Sequence, residues 1–112
     1  GVEQDDKEAV AWYRKAADQG LASAQFNLGG VYYYGQVVEE DYKAAVAWYT
    51  KAAEQGLADA QTNLGRMYKE GHGVEKDLSK AREWYEKAAA QGNRWARASL
   101  RSLERERGCV LQ

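Results

Sequence analysis

Apolar and polar residues follow the period of an α-helix along most of the chain. Between Asp41 and Gln55, apolar residues fall at positions i, i+3, i+4, i+7 and i+8, which form one helix face. These residues are Ala45, Trp48, Tyr49, Ala52 and Ala53. A second type of helix is predicted from about Ala22 to Tyr34 and again from Ala58 to Glu70. In its first copy, one face carries Ala24, Leu28, Val31 and Tyr32.

The same pattern returns at a fixed interval. The block Trp-Tyr-x-Lys-Ala-Ala-x-Gln-Gly begins at Trp12, Trp48 and Trp84, so the interval is 48 − 12 = 36 and 84 − 48 = 36 residues. A strict period of this size is typical of a solenoid, in which each unit buries its apolar face by stacking on its neighbours. Residues 1–5 fall in register with the linkers at 35–41 and 71–77. We therefore interpret residues 1–112 as one solenoid domain, a fragment of a longer array.

Polar and small residues predict where the helices begin and end. Aspartates stand ahead of the Trp-Tyr helices, where a carboxylate can accept free backbone N–H groups, at Asp5, Asp41 and Asp77. Glycines follow these helices and can adopt the left-handed conformation that ends a helix, at Gly20, Gly56 and Gly92. Gly29 and Gly65 instead fall inside the second type of helix. A glycine there costs about 1 kcal/mol relative to alanine, so we expect close approach of a neighbouring helix with bulky side chains.

The last predicted helix, at residues 94–107, departs from the pattern. Arg101 takes the place of Gly29 and Gly65, and Glu104 the place of Tyr32 and Tyr68. One face still carries Ala96, Leu100 and Leu103, and a basic stripe is formed by Arg94, Arg97, Arg101 and Arg105. We interpret this segment as a capping helix with a solvated outer face. The alternative is that the stripe binds an acidic partner or a lipid surface.

Composition excludes several classes of function. The chain has 16 basic and 17 acidic residues, whereas a nucleic-acid-binding domain should carry a basic excess, so no nucleic acid is expected. No apolar run approaches the roughly 18 to 20 residues that span a bilayer, so no transmembrane segment is expected. The one cysteine, Cys109, cannot form an intrachain disulfide. Residues 109–112 read as a prenylation box, a pattern that also arises by chance.

We find no catalytic constellation in the sequence, and we expect no metal and no cofactor. His72 stands between two glycines in a linker and lacks a second His or Cys at metal-ligand spacing. A turn residue is therefore the better interpretation. The sequence also lacks the Gly-x-x-x-x-Gly-Lys-Ser/Thr phosphate loop and the Ser-x-x-Lys nucleophile motif.

The repeated unit resembles a known family. It reads Ala-x-x-x-Leu-Gly-x-x-Tyr, then Asp-x-x-Lys-Ala-x-x-Trp-Tyr-x-Lys-Ala-Ala-x-Gln-Gly, and is similar to the Sel-one-like repeat (SLR) family, a relative of tetratricopeptide repeats. The resemblance covers nearly the whole chain. It implies an all-α, right-handed superhelix of about six helices, in which the Leu-Gly-Tyr helices, called A, line the concave side. The Trp-Tyr helices are called B.

Residues on the A helices that lie away from the stacking face are the candidate binding residues. We predict a peptide-binding groove lined by Phe26, Asn27, Gly30, Tyr33, Tyr34, Thr62, Asn63, Arg66, Lys69 and Glu70. The similarity to tetratricopeptide modules implies that Asn27 and Asn63 can bond the backbone of a bound peptide. Holding a loop or a neighbouring helix is the alternative role for both. Tyrosine is common at binding hot spots, and Arg66 with Lys69 would favour an acidic peptide or a terminal carboxylate.

The leading hypothesis is a non-catalytic scaffold that binds a protein or peptide partner along its concave face. One alternative is an SLR enzyme that binds or hydrolyses β-lactams, since some cysteine-rich members of the family are associated with that activity. Their cysteine pairs are missing here. A further alternative is self-association through the first helix, where apolar surface near Trp12 and Tyr13 has no preceding helix to cover it.

Overall fold

The structure is a computed structural model that describes the backbone of residues 2–111 and the side chains of residues 5–105. All regular elements within this part of the chain are α-helices. They are α1 (Val2–Asp18), α2 (Ala22–Tyr34), α3 (Tyr42–Glu54), α4 (Ala58–Glu70), α5 (Leu78–Ala90) and α6 (Arg94–Leu111). Each helix packs against the next along the chain, which builds a body of 55 × 25 × 22 Å. The predicted all-α solenoid is confirmed.

The predicted helix starts are confirmed at two of three aspartates. The side chains of Asp41 and Asp77 accept hydrogen bonds from the backbone N–H groups of Ala44 and Lys80, both at 3.1 Å. The prediction for Asp5 was wrong, because Asp5 lies inside α1, which begins at Val2. Residues 2–4 continue this helix because they contain neither a glycine nor a proline that would end it.

The B helices end as predicted. Gly56 and Gly92 follow α3 and α5 with φ angles of 94° and 90°, in the region that glycine reaches without a steric cost. The two longer linkers also share one backbone path. Val37 has a φ of 69° and takes the register position of Gly73, which has a φ of 76°. The linker before α3 therefore keeps the shape of the linker before α5 although its glycine is replaced by a β-branched residue.

Tyrosine rings from the B helices pack on glycines of the A helices. A Cβ atom added to Gly29 would lie 2.7 Å from Tyr49 ring carbons, and one added to Gly65 would lie 2.8 Å from Tyr85 ring carbons. Both tyrosines are buried. Real Cβ atoms do not approach other atoms this closely, so each position must be glycine for the helices to meet. The predicted close approach at Gly29 and Gly65 is confirmed.

Buried glutamines join one repeat to the next. Gln25 donates to the backbone carbonyl of Ala17 at 3.2 Å and accepts a hydrogen bond from Gln55 at 2.8 Å. The next repeat forms the same arrangement, with 3.1 Å from Gln61 to the carbonyl of Ala53. Its second bond, from Gln91 to Gln61, measures 2.9 Å. Each buried glutamine thus has partners for both its amide nitrogen and its amide oxygen.

The last helix covers the array with one face and is charged on the other. Ala96 and Leu103 are buried, and Leu100 is half-buried. All four arginines of the basic stripe are exposed. The helix continues past the predicted end at residue 107 to Leu111. The prenylation box at residues 109–112 lies outside the side chains that the structure describes.

Candidate functional site

A groove lies on one side of the array, lined by residues of helices α2, α4 and α6. Its volume is about 370 Å³, which is large enough for several side chains of a ligand. Its walls are formed by Phe26, Tyr34, Asp59, Thr62, Asn63, Arg66, Tyr85, Asn93, Trp95 and Ser99. Because α2 and α4 are the A helices of the repeats, the groove lies on the helices from which a binding face was predicted.

The structure brings half of the predicted site residues together. The groove includes Phe26, Tyr34, Thr62, Asn63 and Arg66. Its walls do not include Asn27, Gly30, Tyr33, Lys69 or Glu70. The residues on α2 that line the groove are therefore fewer than the sequence suggested, and the groove extends instead onto α6.

Two predicted site residues take part in packing between helices. Phe26 lies against the core, with its ring centroid 5.7 Å from that of Tyr49. Tyr33 also packs against the core and contacts Tyr42 at a centroid distance of 5.1 Å. The expectation that neither residue is needed for stacking was wrong, because their rings extend past the helix backbone onto the next helix.

Asn63 is engaged by the scaffold as well as facing the groove. Its side chain hydrogen-bonds the hydroxyl of Tyr49, while burial of the Tyr49 ring raises the pKa of that hydroxyl to about 12. Ser99 occupies the same register position on α6, since 63 + 36 = 99, and its side chain hydrogen-bonds Tyr85. Burial raises the pKa of Tyr85 too, and the bond from Ser99 opposes this shift. Tyr49 and Tyr85 are thus each held between two A-type helices.

Arg66 is the cation of the groove. Its guanidinium lies 5.8 Å from the centre of the Tyr33 ring, a distance that allows a cation–π contact. Glu70 lies one turn further along α4, but its carboxylate contacts Nδ1 of His72 at 3.4 Å. Among residues 5–105 no ion pair involves Arg66. Its guanidinium is exposed and can bind a carboxylate through two parallel N–H donors.

His72 has more contacts than a simple turn residue would. Its ring stacks on Tyr42 with a centroid distance of 4.6 Å and an angle of 12° between the ring planes. Its Nδ1 also lies 3.5 Å from the hydroxyl of Tyr33. The predicted location in a linker is correct. The stacking could not be read from the sequence, because it joins the α4–α5 linker to the start of α3.

Sequence reasoning missed the part of the groove formed by the end of the array. Trp95 is 76% exposed, and Asn93 donates a hydrogen bond to the carboxylate of Asp59 at 3.0 Å. The 36-residue register contained a signal for this wall, since it aligns Trp95 with Asp59 and Ser99 with Asn63. Because α6 lacks the Gly and Tyr of α2 and α4, the sequence indicated a capping helix, with the arginine stripe as the alternative binding surface.

The described residues contain neither a cluster of possible metal ligands nor a membrane-spanning helix. Within them, no group of three or more His, Cys, Asp or Glu side chains is placed to hold a metal ion. None of the helices in the same part of the chain is both long and apolar enough to cross a bilayer. The groove has one cation and one carboxylate at its surface, together with aromatic rings and amides. This arrangement can bind polar and apolar groups of a ligand side by side.

Comparison with protein families gave one match. The model of the Sel1 repeat matches residues 1–21, 22–57 and 58–93, which together make up most of the chain and leave α6 outside. No curated protein matched the sequence.

Solved structures of similar repeat proteins share the fold. A Sel1 repeat protein from Oxalobacter formigenes is 48% identical, with a TM-score of 0.83 over 87% of this chain and 73% of that one. A second match is c5321, a protective antigen of uropathogenic Escherichia coli strains that displays an SLR fold. It is 50% identical with a TM-score of 0.77 over 78% of this chain, which spans only 19% of that protein.

A third similar structure is the cysteine-rich protein B of Helicobacter pylori. It is 28% identical, with a TM-score of 0.80 over 84% of this chain and 71% of that protein. Sel1 repeat proteins generally act as scaffolds for protein–protein interaction, and their fold is typically non-catalytic. From the repeated sequence unit, the stacked helical hairpins and these matches, it follows that the chain belongs to the Sel1 repeat family.

Proposed function

We propose that this chain is a scaffold that binds a segment of a protein partner in the groove between α2, α4 and α6. The observation that carries the proposal is a pair of exposed aromatic side chains on its walls. Tyr34 is 63% exposed and Trp95 is 76% exposed, and both line the same groove. A single exposed aromatic ring is common on protein surfaces, but rings that share one concavity are typical of binding sites.

Some side chains of the groove are fixed by packing between helices. Tyr85 is buried and forms part of the groove surface, and Asn63 is held by its bond to Tyr49. A surface fixed in this way loses little conformational freedom when a ligand binds. Affinity would then come from a few contacts, for which Tyr34, Trp95 and Arg66 are the candidates.

The β-lactam alternative receives no support from the described residues. The Helicobacter protein is named as cysteine-rich, whereas this chain contains one cysteine. The groove contains neither a histidine nor a lysine that could activate a nucleophile. An interaction role therefore accounts for the groove better than a hydrolytic one.

A pull-down with two matched double variants tests the proposal. Tyr34→Ala with Trp95→Ala removes both exposed rings from the groove. Trp12→Ala with Leu78→Ala removes two side chains that are 71% and 44% exposed and that lie outside it. We expect the wild-type chain and the second variant to retain the same partner from a lysate, and the groove variant to lose it.

Equal retention by the two variants would contradict the groove proposal. Loss from the Trp12 variant alone would favour self-association or docking through α1. Circular dichroism on both variants checks that they fold, which we expect because the substituted side chains are exposed.

A further inference from the structure

The groove has an electrical polarity that runs along α4. Asp59 and Arg66 both line it and are seven residues, or about two helical turns, apart, so they lie on the same face of the helix. At 1.5 Å per residue, their Cα atoms are separated by about 10 Å along the helix axis. An extended peptide advances about 3.3 Å per residue and covers this distance in about three residues.

We propose that the groove selects an extended peptide segment with a basic and an acidic side chain about three residues apart. The basic side chain lies at Asp59 and the acidic side chain at Arg66. This inference rests on the proposed function and specifies the partner by its charge pattern. The distance between Asp59 and Arg66 then fixes the register of the bound segment, and the order of their charges fixes its direction.

The end of the groove at Asp59 is suited to a cation. Asn93 donates to one carboxylate oxygen of Asp59 at 3.0 Å, which orients the group. Within residues 5–105 no cation forms an ion pair with Asp59. Trp95 on α6 also lines the groove, and its side chain is 76% exposed. A carboxylate and an exposed indole that line the same groove can together attract a lysine or arginine side chain, by charge and by cation–π contact.

The end of the groove at Arg66 is suited to a carboxylate. The acidic residue one turn away, Glu70, contacts His72 and leaves the guanidinium without a carboxylate in the described part of the chain. Tyr34 offers an exposed ring on the facing helix α2. An acidic side chain or a terminal carboxylate can bind Arg66 through paired hydrogen bonds.

The charge pair is not required by the repeat itself. The register positions of Asp59 and Arg66 hold Ser23 and Gly30 on α2, and Trp95 and Ser102 on α6. Stacking in the neighbouring repeats therefore proceeds without these charges. Asp59 in the first turn also complements the helix dipole, but that role does not account for an arginine two turns later on the same face.

Exchange of the two charges provides the test. The variant Asp59→Lys with Arg66→Glu reverses the polarity and preserves the net charge. Lys43→Glu with Glu54→Lys is the matched control, because both residues are exposed on α3 and neither lines the groove. A displayed library of random ten-residue peptides is selected on wild-type, exchanged, control and Trp95→Ala chains.

We expect the peptides enriched on the wild-type and control chains to share one order of basic and acidic residues along their sequence. Peptides enriched on the exchanged chain should have the opposite order. A synthetic wild-type-selected peptide should bind the exchanged chain about tenfold or more weakly, as loss of charge-assisted bonds predicts. A peptide with its two charged residues interchanged should show the reverse preference. Free-acid and amidated forms distinguish a terminal carboxylate from a side-chain carboxylate.

Two results would overturn the inference in different ways. If the enriched peptides require Trp95 for binding but the wild-type and exchanged chains enrich the same peptides, the groove binds ligands without selecting the order of their charges. If no enriched peptide depends on Trp95, both the polarity and the proposed groove function fail.

Discussion

Two adjacent glycines on α2 have different physical roles. Gly29 lies under the ring of Tyr49, and a Cβ atom there would be 2.7 Å from the ring carbons. Gly30 is more open, since its nearest neighbour would be the Tyr49 hydroxyl at 3.6 Å, an ordinary contact. The helical pattern of the sequence predicted the close packing at Gly29. The sequence pattern does not show that Gly29 is closely packed and Gly30 is not; this difference depends on where the ring of Tyr49 lies.

We predict opposite effects of alanine at these two positions. Gly29→Ala should lower the free energy of unfolding by about 1 to 3 kcal/mol, because the buried Tyr49 ring must move. Gly30→Ala should raise it by about 0.5 to 1 kcal/mol through better helix propensity. Urea unfolding followed by circular dichroism measures both. Equal changes for the two variants would contradict the assigned packing.

Because the hydroxyl of Tyr49 is buried, we predict that the folded chain loses stability at alkaline pH. Burial raises its pKa from 10.0 to about 12 in the folded chain, so the folded state keeps a proton that the unfolded state releases. The stabilisation is complete below pH 10 and is lost as the pH rises toward 12. When the pH rises from 9 to 11, the free energy of unfolding should fall by about 1 kcal/mol less in Tyr49→Phe than in the wild-type chain.

Urea titrations at the two pH values test this expectation. Tyr34→Phe is the control, because its ring is 63% exposed and its hydroxyl is not enclosed by the core. An identical alkaline loss in wild type and Tyr49→Phe would show that the hydroxyl of Tyr49 is not desolvated on folding.

At the scale of helices, glutamine bonds couple neighbouring repeats. Gln61 donates to the carbonyl of Ala53 and accepts from Gln91, so it joins the helix ends of two successive B helices. We predict that Gln61→Leu lowers the free energy of unfolding by about 1 to 3 kcal/mol, since it removes the two hydrogen bonds that the buried amide makes to Ala53 and Gln91. Gln36→Leu, at an exposed linker position, should have a much smaller effect.

A double-mutant cycle isolates the bond between the two glutamines. Combining Gln61→Leu with Gln91→Ala should cost less than the sum of the single changes by about 0.5 to 1.5 kcal/mol. Strict additivity would mean that the Gln61–Gln91 bond does not connect the repeats.

Most helix boundaries could be predicted because their causes are local. The ends of α2 and α4 follow from the apolar period and from Gly35 and Gly71, which have positive φ angles after each helix. The start of α1 could not be predicted, because Asp5 resembles the caps at Asp41 and Asp77 although it lies inside a helix. A cap depends on a break in the preceding backbone as well as on the carboxylate.

The candidate site was only partly predictable for a related reason. The side chains of Thr62, Asn63 and Arg66 project from one helix, and their shared face could be read from the spacing. The walls formed by Trp95 and Ser99 depend on how α6 packs against α5. The contact between Tyr33 and His72 likewise joins residues that are distant in sequence, and a helical period contains no information about such contacts.

At the scale of the whole molecule, the solenoid combines a repeated core with a groove whose walls differ from one repeat to the next. Tyr49 and Tyr85 pack in the same way on successive glycines, whereas the groove has an aromatic wall on α2, charges on α4 and a tryptophan on α6. Residues that repeat maintain stacking. Tyr34, Arg66 and Trp95 line the groove but do not recur at the matching positions of the other repeats, and we therefore assign partner recognition to them.

If a partner segment lies against Trp95, the indole N–H resonances of the chain will report its binding. The chain has four tryptophans, so an NMR spectrum of the 15N-labelled protein should show four indole N–H signals. On titration with a peptide selected on the wild-type chain, the Trp95 signal should shift and the signal of Trp12, which lies outside the groove, should stay in place. A shift at Trp12 with none at Trp95 would place the interaction on α1 and contradict the groove as the binding face.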